Sequence, residues 1–183
     1  MPTVYGWFLR RTFIQFNLVY RGSRDGFTSK AFHEKVDGIR GLFFVIKSAE
    51  YGKVFGGYTE VPWSTPKSDS QYFYDYRAFI FSISHRTKHL QCLDEFNAVQ
   101  HFSKDNLFAF GFGDFGIREN CDQRDDNWSN FGCTKWTKHS FQIPYNMKTN
   151  SDEAYRYLAG AHLYRVAEIE VYQVKLEEQK PVY

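Results

Sequence analysis

Between residues 12 and 20 the chain alternates. Ile14, Phe16, Leu18 and Tyr20 are large and apolar, and Gln15 and Asn17 stand between them. A period of two puts the four apolar side chains on one face, which predicts a half-buried β-strand. A short helix is expected next: Thr28 or Ser29 can cap it, Phe32 and Val36 share a face, and Asp37-Gly38 ends it. Residues 42–47 are a continuous apolar run. Glu50-Tyr51-Gly52-Lys53 then reads as a hairpin turn, and residues 54–58 as the returning strand. Residues 78–84 (AFIFSIS) predict a further strand, whereas 119–139 is polar and turn-rich and predicts a long surface loop.

Towards the end of the chain Asn150 and Glu153 have capping-box spacing, Tyr155, Leu158 and Ala159 fall on one helical face, and Gly160 marks the stop. Residues 163–174 form the longest strand candidate. Leu163, Ala167, Ile169 and Val171 lie on one side, Tyr164, Val166, Tyr172 and Val174 on the other. Apolar groups on both faces predict a central strand covered on both sides. Many strands with two short helices make a mainly β chain, and a sandwich is the expected architecture.

Composition sharpens this picture. Nineteen Phe, thirteen Tyr and four Trp make 20% of 183 residues, and such rigid, strand-favouring side chains suit layered sheets better than a helical bundle. The formal net charge is +2, from 23 basic and 21 acidic residues spread along the chain. Without a basic stripe there is no electrostatic footprint for nucleic acid; the densest basic cluster, His85 to His89, is expected to cap a solvated loop. Cys92, Cys121 and Cys133 are odd in number and irregular in spacing, which points to a reducing, cytoplasmic setting rather than a disulfide framework. Arg10 and Arg11 interrupt the first apolar stretch, so no export signal is read, and no run reaches the length of a membrane span. The sequon Asn127-Trp128-Ser129 is taken as chance.

Residues 111–116, Gly-Phe-Gly-Asp-Phe-Gly, match the G-x-G-x-x-G string of dinucleotide loops. A polar stretch follows where a helix should open, and Asp114 puts a carboxylate where phosphate oxygens would sit, so no cofactor is expected. His85, His89 and Cys92 have metal spacing only on a helix and lack a fourth ligand, so no metal is expected. Cys133 and His139 are the nearest thiol–base pair, within the expected loop. The glycines of Phe55-Gly56-Gly57-Tyr58 mark a bulge or a close backbone approach. Nothing here assembles into an active site. Two features ask for more. Glu168 and Glu170 share a strand face and need partners, Arg24 or Arg165 being candidates, or exposure at a binding patch. Arg21-Gly22-Ser23-Arg24-Asp25-Gly26 is a charged turn with Asx-turn chemistry at Asp25.

In the same order along the chain, these segments resemble the TLDc domain family. Residues 18–27 (LVYRGSRDGF) with Phe32-His33 resemble its opening strand and helix. Phe55-Gly56-Gly57-Tyr58 with Trp63 is similar to its FGGY…W block, and residues 78–82 to its next strand. Phe110-Gly111-Phe112-Gly113-Asp114 resembles FGxGxD. Leu158-Ala159-Gly160 and Glu168-Ile169-Glu170-Val171-Tyr172 resemble the closing helix and strand. The chain departs from the family at Val36, where cysteine is common, and at Arg40-Gly41, where Pro-Thr is common. The resemblance implies a two-layer antiparallel β-sandwich with two or more short flanking helices, over residues 13–175, between an N-terminal extension (1–12) and a polar tail (176–183). It implies a structural role for Gly26, Phe55, Gly56, Gly57, Tyr58, Trp63, Gly111, Gly113, Asp114 and Gly160. It further implies a non-catalytic module that binds the cytosolic part of the vacuolar-type proton ATPase and contributes to oxidative-stress protection. Arg21, Arg24, Asp25, Glu168 and Glu170 are the expected interaction residues. A structural subunit of a cytoskeletal or ciliary assembly, or a thiol or carboxylate enzyme, are the alternatives.

Overall fold

The computed structural model describes residue 7 and residues 12–92, 97–132 and 140–178. Twelve described strands form two six-stranded antiparallel sheets. Sheet A runs β1 (Thr12–Arg21), β12 (Val166–Glu178), β2 (Leu42–Ser48), β3 (Val54–Thr59), β5 (Phe79–Ser82), β6 (Thr87–Leu90). Sheet B runs β11 (Leu163–Tyr164), β10 (Asn127–Ser129), β9 (Phe115–Arg118), β8 (Asn106–Phe110), β7 (Val99–Phe102), β4 (Ser70–Phe73). The expected β-sandwich is the fold. Three short helices accompany it: α1 (Gly22–Asp25), α2 (Ser29–Val36) and α3 (Asp152–Tyr157).

The aromatic surplus fills the space between the layers. Phe44 of β2 meets Phe108 and Phe110 of β8 at ring distances of 4.7 and 5.4 Å, and Phe55 of β3 meets Phe115 of β9 edge-on at 5.4 Å. Gly57 has no side chain because the Phe110 ring occupies that space: a Cβ there would stand 2.4 Å from it. Gly56, on the opposite face, would strike the Phe44 carbonyl at 1.8 Å. Close approach, without a bulge, is what the two glycines serve. Trp63, in the connection after β3, is 1% exposed and stacks on His101 of β7 at 3.9 Å, closing one end of the core against Phe32 and Phe44.

Several local expectations change. The alternation of β1 breaks at a bulge between Leu18 and Tyr20. Ile14 and Phe16 therefore pack on the outside of sheet A, whereas Tyr20 enters the inner core. The long strand expected over 163–174 is two strands. The chain leaves sheet B after Tyr164, crosses at Arg165 and enters sheet A at Val166, where a second irregularity shifts the register before Glu168. Tyr164, Val166, Ile169, Val171 and Val174 are the buried set, and Leu163 and Ala167 are exposed. The segment expected to be a surface loop contains β10 and the fully buried Cys121, Asn127 and Phe131. Asn127 spends its amide on the carbonyls of Tyr164, Cys121 and Arg124, which leaves the sequon no accessible nitrogen. The rest of that segment, with Cys133 and His139, lies outside the described residues. The cap of α3 is Ser151, whose hydroxyl accepts Ala154 N–H at 3.2 Å, and not Asn150, which sits before it at positive φ. Thr28 caps α2 as expected.

Candidate functional site

Where β1 ends, the chain turns sharply through residues 21–26. An Asx turn was expected; the backbone instead makes one helical turn, α1. Asp25 reaches back so that its carboxylate accepts Arg21 N–H at 2.9 Å. Gly22 must be glycine, since a Cβ would stand 2.1 Å from the Phe27 ring. Gly26 adopts φ 101°, its N–H donating to Gly22 O, and its carbonyl accepts the Tyr20 hydroxyl at 2.7 Å. A positive φ of this size suits only glycine well.

This turn rests on β12. Glu168 accepts Ser23 N–H at 3.1 Å and Ile169 N–H at 3.0 Å, and its other oxygen takes the Ser23 hydroxyl. Glu170 pairs with Arg21 at 2.5 Å and accepts the Tyr172 hydroxyl at 2.5 Å. The partners differ from those expected. Arg24 pairs with Asp25 at 2.7 Å and Arg165 with Glu50 at 3.1 Å, because β12 runs antiparallel to β1 with Arg21 opposite Glu170. The Arg24 guanidinium, bonded to Asp25, holds that carboxyl below its usual range. Burial and the bond to Glu170 raise the Tyr172 hydroxyl to about 12. Arg21, Arg24, Asp25, Glu168 and Glu170 thus lie at one corner, from segments roughly 145 residues apart in sequence. Arg24 (51% side-chain exposure) and Arg21 (43%) are its outward groups.

The other motif residues are architectural. Residues 111–114 are the turn between β8 and β9, with Gly111 and Gly113 at φ 68° and 93°. Antiparallel β9 follows, where a dinucleotide loop would open a helix. Asp114 is buried. Its Oδ2 accepts Ser140 N–H at 3.1 Å and its backbone carbonyl accepts Asn130 N–H, while burial lifts its carboxyl to about 7. Gly160, at φ 94°, lies against Tyr51 of the β2–β3 turn.

The stretch read as a solvated basic loop is a turn followed by β6. His85 stacks on Tyr157 of α3 at 4.4 Å, and His89 is buried between Gln142 O and Thr87 Oγ1. Burial takes His89 down to about 4. Cys121 is fully buried, which pushes its thiol well above the ordinary range and away from thiolate chemistry. Among the described residues no three His, Cys, Asp or Glu gather closely enough to hold a metal ion.

One feature had no sequence signal. A depression of about 520 Å³ opens beside α2, between Ser29, His33, Asp37, Thr65, Lys104 and Glu119. His33 joins Asp37 Oδ1 to Phe102 O, each at 2.7 Å, and Asp37 also accepts Thr65 N–H at 2.9 Å. Glu119 sits at the start of α2, accepting Ser29 N–H at 3.2 Å. Ser29, His33 and Asp37 stand four residues apart along α2 and its C-cap, but Thr65, Lys104 and Glu119 come from separate segments that no spacing rule could have joined to them.

The family model for the TLDc domain matches residues 4–175. No curated protein matches the chain.

Proposed function

Since the chain belongs to the TLDc domain family, we propose that it works by binding another protein, without catalysis, and that its partner is the cytosolic part of the vacuolar-type proton ATPase. The setting is cytoplasmic, and the physiological outcome is protection against oxidative stress. The observation that carries this reading is the α1 corner. Glu170 of β12 fixes Arg21 and Asp25 fixes Arg24 before any partner arrives, and Arg24 projects from the corner with about half of its side chain exposed. A preorganised charged corner loses little side-chain entropy on docking. The absence of catalysis is supported by the engagement of the reactive groups: Glu168 and Glu170 hold α1, His89 holds a strand end, and Cys121 is sealed in the core.

Affinity purification of the full chain from its source cells is the test. Subunits of the peripheral ATPase sector should be recovered with the wild type. Recovery should fall about tenfold with Arg24→Glu, a loss of about 1.4 kcal/mol of binding. Repeated failure to recover any such subunit, under conditions that preserve weak complexes, removes the partner assignment.

A structural subunit of a larger assembly is favoured by one observation. Edge strand β4 presents Tyr72, stacked on Phe112 at 5.1 Å, beside exposed Tyr74 and Tyr76. Recovery solely in an insoluble cytoskeletal fraction would decide for it.

A further inference from the structure

His33 of α2 stands between two oxygen atoms. Its Nδ1 lies 2.7 Å from Asp37 Oδ1, and its Nε2 lies 2.7 Å from the carbonyl oxygen of Phe102, the last residue of β7. A carbonyl and an ionised carboxylate only accept hydrogen bonds, whereas a neutral imidazole carries one N–H and the imidazolium two. Both contacts are made together only by the imidazolium. The other Asp37 oxygen accepts Thr65 N–H at 2.9 Å and the Thr65 hydroxyl at 2.6 Å, as suits an ionised carboxylate. The His33 ring is 8% exposed, so little water reaches it to replace either partner. It also lies in the last turn of α2, where the partial negative charge of the helix end favours a cation.

Loss of one proton breaks this arrangement. The N–H that remains goes to Asp37, since a charged acceptor makes the stronger bond. Nε2 then turns a lone pair on the Phe102 carbonyl oxygen at 2.7 Å, and two buried acceptors so close must move apart. α2 and β7 separate at this point. Two backbone donors close the same corner: Gly38 N–H, just past α2, bonds Trp63 O at 2.8 Å, and Thr65 N–H bonds Asp37. Histidine is the side-chain type that gains and loses its proton between about pH 5 and 8. The charged groups around it are Lys30 and Glu34 from α2, Lys104 after β7 and Glu119 after β9, all lining the depression beside α2. Lys30 is paired with Glu34 and Lys104 with Asp69, and Glu119 accepts Ser29 N–H. His101, beside Phe102 in β7, stays neutral over that range, because burial takes it down to about 4.

We infer that His33 is a pH-sensitive latch. Protonated, it clamps the end of α2 to β7 through Asp37 and the Phe102 carbonyl; unprotonated, it releases the helix end and widens the depression beside it. The latch uses neither Arg21 nor Arg24, so it stands whether or not the α1 corner docks the ATPase.

Nitrogen-15 NMR of the His33 ring in the full chain is the test. Both ring nitrogens should carry protons at about pH 5.5, and Nε2 should have lost its proton by about pH 8. Over the same range the protection of the Gly38 and Thr65 amides against hydrogen exchange, corrected for intrinsic rates, should fall at least about tenfold. Asp37→Asn separates a latch from a merely structural contact. The Asn amide group donates to Nδ1 of a neutral ring while its oxygen still accepts from Thr65, which leaves Nε2–H for Phe102. In that variant the protection of the two amides should no longer depend on pH. A ring that keeps one protonation state from about pH 5.5 to about pH 8 overturns the latch. So does a titration that leaves both amides unchanged, or a D37N chain that opens as the wild type does. Should D37N fail to fold, the wild-type ring and amide measurements decide by themselves.

Discussion

Gly57 of β3 lies directly beneath Phe110 of β8, so close that a Cβ on Gly57 would stand 2.4 Å from the ring. The two residues belong to different sheets, and their contact sets how closely the layers approach. Gly57→Ala should therefore destabilise the fold by about 1–3 kcal/mol, the usual cost of overpacking a close-packed core. Urea unfolding followed by near-ultraviolet circular dichroism measures this. An unchanged midpoint would mean that the sheets can separate freely at this point.

Removing the carboxylate that carries α1 should loosen that corner before it unfolds the domain. Glu168→Ala leaves Ser23 N–H and Ile169 N–H without their acceptor. Hydrogen bonds to a charged acceptor are worth about 1.5–3 kcal/mol each when buried. This site is open to solvent, so a total loss of about 1 kcal/mol is expected. Amide exchange at Ser23 should rise well ahead of exchange in β2, and uniform acceleration across the domain would contradict the local role.

Asp114 should make the fold less stable as pH rises through weak acid. Its carboxyl moves from 3.8 to about 7 on burial, so between these values the folded state holds a proton that the unfolded state has released. Stability is greatest below 3.8, falls as pH rises towards 7, and is level above it as far as this group is concerned. Asp114→Asn should abolish that decline. Denaturation midpoints across pH 4 to 8 for both proteins are the check, and identical pH profiles would rule out a buried titrating carboxyl here.

His101 should act in the opposite sense. It is buried against Trp63 and Phe73, and burial lowers it from 6.5 to about 4. The unfolded chain therefore takes up a proton first as pH falls below 6.5, and stability is lost progressively down to about 4. His101→Phe keeps a ring in the stack and removes the titration, so its stability should depend less steeply on pH over that window. A variant as acid-sensitive as the wild type would refute the assignment to His101.

Cys121 should resist alkylation in the native protein. Its thiol is fully buried and shifted away from the reactive thiolate. Peptide mapping after brief exposure to iodoacetamide should find it modified only once denaturant is added. Modification of Cys121 in the folded state, at the rate of an open thiol, would restore the thiol-enzyme reading.

The strands with unbroken local signals were legible from the chain itself. The β2–β3 hairpin, β5 and the Thr28 cap of α2 follow from apolar runs, turn residues and a hydroxyl in the right place. So does the misfit of residues 111–116 with a nucleotide loop, since no helix pattern follows. β10 was hidden because three residues with a polar Asn and Ser carry no periodic signal. Burial there is decided by Asn127 spending its amide on distant carbonyls. Likewise Ser151 displaced Asn150 as cap because capping depends on backbone angles, and Asn150 lies at φ 56°.

Local pattern determined the class of this protein: which segments are extended, where they turn, and that aromatic bulk must lie between layers. Only the folded chain decided pairing and face. One extra residue at Val19 turns Tyr20 inward, and the step at Arg165 sends one run of sequence into both sheets. The antiparallel register of β1 against β12 gives Glu170 to Arg21 and Glu168 to Ser23. Periodicity is a property of neighbours along the chain, whereas register, bulges and ion pairs are settled by contacts between residues far apart in it, and these depend on the whole core closing at once.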